Sequence, residues 1–149
     1  MKTLIVYDSI YGNTRIIAEA IAQGIPGQVA LQQAGEVHAS ELSGFDLLVI
    51  GAPTQGGRPT ESVQILLDSV SGTALQGKKV AAFDTRLKAK WVKIFNYAAP
   101  RIASTLQEKG GVLVNEPAGF IVKGRSGPLL EGEVERAREW GKRIGETRV

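Results

Sequence analysis

Ser9, Asn13 and Thr14 stand around one glycine, Gly12, in the stretch Asp8-Ser9-Ile10-Tyr11-Gly12-Asn13-Thr14. Short hydroxyl and amide side chains at this spacing can converge on one point, and the residues that follow read as a helix. A helix N-terminus offers amides without intrahelical partners and the positive end of the peptide dipole. The chemistry predicted is anion binding, with phosphate the expected anion. The same residue types also cap helices and bind nothing, so from this loop alone the two readings stand level. There is no G-x-x-x-x-G-K-[ST] and no G-x-G-x-x-G after the first strand. The P-loop and the dinucleotide fingerprint are therefore excluded. A phosphate-accepting receiver would need acids at several strand ends, and the strand ending Gly51-Ala52 brings none.

Two more loops carry functional residue types. Gly51-Ala52-Pro53-Thr54-Gln55-Gly56-Gly57-Arg58-Pro59 holds two prolines and three glycines, which predicts a shaped turn with exposed backbone amides. It is long for a strand-to-helix connection, though a plain surface loop would look similar. Asp84-Thr85-Arg86-Leu87-Lys88-Ala89-Lys90-Trp91 opens the third. A tryptophan beside several cations is either covered by something bound or packed as core under the connection.

The elements that position these loops are legible from apolar patterning. Residues 4–7, 47–50 and 79–83 are short apolar runs that read as strands buried on both faces, and residues 29–33 as an edge strand. Residues 112–114 and 119–122 read as one last strand in two pieces around Pro117. Ile16, Ile17, Ala20 and Ile21 mark one helix, closed by Gly24 and Pro26. Val63, Leu66, Leu67 and Val70 mark a second, with Thr60 its N-cap. Ile102, Ala103 and Leu106 mark a third, with Pro100 in its first turn. Leu130, Val134, Ala137, Gly141 and Ile144 mark the last, with Glu139 spaced to pair with Arg143. Tyr97 and Trp140 read as packing residues. Alternation of apolar strands with helices predicts an α/β fold: a parallel, five-stranded, doubly wound sheet between two helical layers. Such sheets bind ligands at the carboxyl ends of their strands, where the three loops fall.

Composition narrows the chemistry. The 149 residues contain no cysteine and one histidine, His38, which reads as an exposed loop residue. That excludes disulfides, thiolate metal sites, cysteine nucleophiles and a His-rich metal cluster. One domain over residues 1–149 is expected from the length. No apolar run approaches a membrane span and no targeting signal is visible, so a soluble, cytoplasmic protein is expected. The net charge of +3 is uneven: residues 1–75 carry three basic and seven acidic side chains, residues 76–149 fifteen and eight. Such asymmetry can mark an anionic partner, but the cations form no nucleic-acid motif.

Together the three loops resemble the flavodoxin family. Residues 8–14 are similar to its FMN phosphate loop, Gly51-Ala52-Pro53-Thr54 to its second flavin loop, and Phe83-Asp84-Thr85-Arg86 matches the position of its third. The likeness spans the chain in order. The direct join of residues 112–114 to 120–122 leaves no room for the insertion of long-chain members, so the short-chain form is implied. The resemblance implies strand order 2-1-3-4-5. It also implies a phosphate held without a cation by Ser9, Ile10, Tyr11, Gly12, Asn13 and Thr14. The isoalloxazine would lie between Pro53, Thr54, Gln55, Gly56 and Gly57 on one side and Asp84, Thr85 and Arg86 on the other. Tyr11 replaces the family's usual second hydroxyl residue, and Trp91 is the nearest substitute for its stacking aromatic.

The function implied is FMN-based electron transfer with no catalytic side chain. Arg58, Arg86, Lys88, Lys90 and Lys93 in the flavin-side loops, against Asp84 alone, imply an acidic redox partner or an anionic small acceptor. They also imply a less negative potential for the second electron than in acidic members. The alternative is an FMN-dependent NAD(P)H:quinone-type oxidoreductase using the open ring face. A domain that has lost FMN is the third reading, opposed by the intact loop at residues 9–14.

Overall fold

Alternate residues of each central strand serve opposite cores, as the two-residue period of a strand requires. The computed structural model describes residues 1–88 and 97–147. Its strands are β1 (Lys2–Tyr7), β2 (Gln28–Gln33), β3 (Leu47–Pro53), β4 (Lys79–Leu87), β5 (Val112–Leu113) and β6 (Ala118–Val122). Its helices are α1 (Asn13–Gly24), α2 (Glu61–Ser69), α3 (Ala98–Glu108) and α4 (Glu133–Glu146). Leu4, Val6, Leu48, Ile50, Val80 and Ala82 pack with residues of α2 and α3. Ile5, Tyr7, Leu47, Val49, Ala81 and Phe83 pack with residues of α1 and α4. Each Val, Leu, Ile or Phe among them contributes about 1.5–3 kcal/mol on full burial, so both helical layers are firmly seated.

The pairing is parallel throughout, in the order β2-β1-β3-β4, with β5 and β6 both on the outer edge of β4. β5 pairs with Lys79 and Val80, and β6 with the five residues from Phe83 to Leu87. The last strand is thus split around Pro117, and the order is the 2-1-3-4-5 expected. The second piece has a consequence for the site. Pairing with Ala118–Val122 carries β4 on to Leu87, so Asp84, Thr85 and Arg86 are strand residues, not a loop. β3 likewise runs to Pro53.

Close packing sets the layer of α1 and α4. A Cβ on Gly141 would lie 2.2 Å from the carbonyl oxygen of Ile21, a separation only glycine permits. Beneath these helices, Phe83, Phe120 and Trp140 meet edge to face with centroids 6.3–6.4 Å apart. Trp140 is therefore core, as its spacing implied.

Three face assignments need correction. Ile16, Leu130 and Val134 are exposed. Leu130 precedes α4, whose inward face is Glu133, Ala137, Trp140, Gly141 and Ile144. The ion pairs of α4 are Glu133–Arg136 and Glu135–Arg138; no Glu139–Arg143 pair occurs among the described residues. Thr60 occupies the N-cap of α2, but its side chain does not cap: Oγ1 is buried without a partner. Pro100 does lie in the first turn of α3. No described helix is long and apolar enough to cross a membrane.

Candidate functional site

A cavity of about 490 Å³ opens at the carboxyl ends of β1, β3, β4 and β6. Its size falls within the range of small-molecule sites, about 300–1,000 Å³. One wall is the β1–α1 turn, with Ile10, Tyr11, Asn13 and Thr14; another is Pro53, Thr54, Gln55 and Gly56. Thr85, Arg86 and Leu87 of β4, Val122 of β6 and Arg125 complete it. All three sequence loops therefore meet at one place. Trp91, Lys90 and Lys93 lie outside the described residues.

The β1–α1 turn is built to leave amides free. Gly12 is its N-cap, at φ +93°, a conformation that favours glycine. Ser9 Oγ accepts from the amides of Gly12 (3.1 Å) and Arg15 (3.4 Å), tying the turn to itself. The Ile16 amide donates to the Gly12 carbonyl. The amides of Ile10, Tyr11, Asn13 and Thr14 have no acceptor among the described residues. Four unpartnered donors at a helix N-terminus suit a phosphate. Ser9 and Gly12 do not line the cavity; they shape the turn that does.

The second wall is fastened at both ends. The Thr54 amide donates to the Thr85 carbonyl (2.9 Å), and Thr54 Oγ1 accepts from the Ala98 amide (3.0 Å). Gln55 and Arg58 bond each other's backbones across Gly56 and Gly57, at φ +55° and +78°. Two successive positive φ values are the signature of a tight primed turn. Gly57 supplies that turn and does not face the cavity. Asp8, at the end of β1, accepts from Ser62 Oγ of α2 at 2.8 Å.

On β4 the alternation of faces separates neighbours. Thr85 turns toward α1, its hydroxyl 2.8 Å from that of Thr14. Asp84 and Arg86 turn toward α3. Asp84 is wholly buried, accepts the Ala99 amide at 2.8 Å, and takes Arg86 Nε and Nη2 at 2.7 Å each. Burial pushes its carboxyl above the ordinary value, against the opposing pull of Arg86 and the Ala99 amide. Asp84 thus stands behind the cavity and is not among the residues that line it. Arg86 is not a loose rim cation: its charge is paired, and its guanidinium lies 3.6 Å from the Tyr97 ring centroid.

Arg125 was missed from the sequence. It lies in the turn between Val122 and Leu129, which bridge antiparallel. Gly127 of that turn abuts Asn13: a Cβ there would be 2.7 Å from Asn13 Oδ1. The contact seats the Arg125 turn against the β1–α1 turn, a relationship with no local sequence signal.

The family model described as Flavodoxin matches residues 5–140. The chain belongs to the flavodoxin family. A flavodoxin of Maridesulfovibrio salexigens is 28% identical, covering 97% of each chain. The chain is 24% identical to a protein of Caulobacter vibrioides named NAD(P)H dehydrogenase (quinone), over 99% of this chain and 97% of that one. Among solved structures, oxidised flavodoxin 2 from Bacillus cereus superposes with a TM-score of 0.84 at 28% identity, over 98% of this chain and 99% of that one. Flavodoxins bind FMN and transfer electrons to redox partners, so the cofactor is FMN and the work is electron transfer. When bound, FMN supplies the redox chemistry; the chain supplies its seat.

Proposed function

We propose that this chain is an FMN electron carrier whose flavin-side surface is adapted to an acidic partner. The observation that carries this is the unpaired cation Arg125 in the cavity lining, with Arg58 and Lys88 exposed on the segments that follow β3 and β4, and no carboxylate in that lining among the described residues. In this reading the amides of Ile10, Tyr11, Asn13 and Thr14 hold the phosphate, with Ser9 and Gly12 shaping their turn. Arg125 adds a cation at that end. Pro53, Thr54, Gln55 and Gly56 face Thr85 and Arg86 across the ring, with Gly57 and Asp84 supporting them from behind; Trp91 is the proposed stacking aromatic.

The rim supports a docking role. Ile10, Tyr11 and Leu87 are 50%, 55% and 50% exposed; Arg125, exposed, lines the cavity with them, Lys88 follows Leu87, and Arg58 is exposed on the loop after β3. Exposed apolar contacts together with exposed cations suit a carboxylate-rich surface and speed its encounter. The meeting place we propose is the cytoplasm, and the folding unit is residues 1–149.

A second reading is favoured by the full-length likeness to proteins named NAD(P)H dehydrogenase (quinone): direct oxidation of a reduced nicotinamide. One experiment separates the two. Anaerobic holoprotein mixed with NADH or NADPH keeps its flavin absorbance if it is a carrier, and bleaches only when a reductase is added. Rapid bleaching without a reductase would sink the carrier reading.

A further inference from the structure

Arg86 makes two of its possible hydrogen bonds to Asp84, and both come from one edge of the guanidinium, Nε and Nη2. The group has five N–H donors in a rigid plane, so the remaining donors point away from Asp84. Nη1 bonds no described residue. Three features hold the plane in place. Asp84 is wholly buried and itself anchored to the Ala99 amide at the start of α3. Tyr97 covers one face of the guanidinium at 3.6 Å. Gly119 of β6 admits the group: a Cβ there would lie 2.1 Å from Arg86 Cζ. A surface arginine needs none of these, and the Arg86 side chain is only 14% exposed.

The pair is neutral overall but strongly directional. Its negative end lies wholly buried behind, while Arg86, 14% exposed, is the member of the pair that lines the cavity. The phosphate loop lies on the α1 side of β4, through Thr14 and Thr85. Arg86 lies on the other face, with α3, so it serves the ring end of the cavity. A dipole fixed in a dry wall acts far more strongly than an exposed charge.

We propose that Asp84 positions Arg86 so that its remaining N–H donors and its positive end face the flavin ring and favour the reduced, negatively charged flavin. This rests on the FMN reading above. It assigns Arg86 a potential-setting role and Asp84 a positioning role.

The test compares wild type, Arg86→Lys and the double variant Asp84→Asn/Arg86→Gln, all as holoprotein. Lysine keeps a cation beside Asp84 but concentrates it at one ammonium, without a planar fork. The double variant removes both charges and leaves no lone buried ion. Thermal unfolding, oxidised-FMN affinity and the two one-electron potentials are measured. Arg86→Lys is expected to unfold near the wild-type temperature, yet to bind fully reduced flavin about tenfold less well relative to the semiquinone, lowering the second potential by about 59 mV. The double variant is expected to show a drop of the same sign. If FMN binds but both variants keep the wild-type potentials, Arg86 only neutralises Asp84 and this inference is overturned alone. If wild type binds no FMN, the reading of the cavity falls, and this inference with it.

Discussion

The hydroxyls of Thr14 and Thr85, both buried, meet at 2.8 Å in the floor of the cavity, joining the first turn of α1 to the end of β4 across 71 positions of sequence. The contact braces the phosphate turn against the strand that carries Arg86. Thr85→Val keeps the shape and leaves the Thr14 hydroxyl buried without its partner. An unpaired buried hydroxyl costs about 1–3 kcal/mol. We expect a stability loss of that size in urea titration of the apoprotein, and weaker FMN binding by fluorescence quenching. Wild-type values for both would remove the brace from the account.

Arg125 lines the cavity beside the β1–α1 turn. Arg125→Gln is expected to weaken FMN binding by up to about 1 kcal/mol, roughly fivefold, the scale of an exposed ion pair. Riboflavin, which lacks the phosphate, should bind the variant and wild type equally. The FMN effect should shrink in high salt, because the arginine is exposed. Equal losses for FMN and riboflavin would place Arg125 at the ring instead.

Glu133 ties α4 to β6. It accepts the Ile121 amide at 2.7 Å and both Arg136 Nε and Nη2, at 2.9 and 2.7 Å. The Arg136 hydrogen bonds hold its carboxyl below the ordinary value, although burial opposes them. A carboxyl depressed in the folded state stabilises above its unfolded pKa, about 4.3, and loses that contribution as pH falls through the folded value. Glu133→Gln should therefore cost about 1–3 kcal/mol at pH 7. The gap from wild type should narrow below pH 4. Denaturant melts across pH 3–7 measure it; a gap independent of pH would contradict the linkage.

Gly51 on β3 leaves room for the Phe83 ring, whose Cζ would lie 2.1 Å from a Cβ there. Overpacking a core by one methyl costs about 1–3 kcal/mol. Gly51→Ala should lower stability by that amount, and Gly51→Ala/Phe83→Leu should recover part of it. Failure of the second change to recover any stability would mean the strain lies elsewhere.

How far the site was legible follows from which contacts are local. The turn at residues 9–14 could be read because hydroxyl, amide and glycine types lie next to one another before a helix. Asp84 and Arg86 were singled out but misplaced. Their loop became strand because Ala118–Val122 pairs with β4, a contact between segments more than thirty residues apart. Arg125 carried no signal at all, since what brings it to the cavity is Gly127 resting on Asn13. Exposed Ile16, Leu130 and Val134 show the limit of apolar spacing near helix ends, where the neighbouring layer no longer covers the face.

The sequence by itself determined the alternation of strands and helices, the parallel sheet, and the gathering of three segments at its carboxyl edge. Local periodicity and the handedness of crossovers leave little choice there. Only the tertiary structure decided what the charges do. Arg86 counts as one cation in a chain of net charge +3, but a wholly buried carboxylate two residues away cancels it and turns it into an oriented dipole. Pairing, burial and direction depend on which face of β4 each residue occupies and on what α3 lays against it. Composition contains none of that.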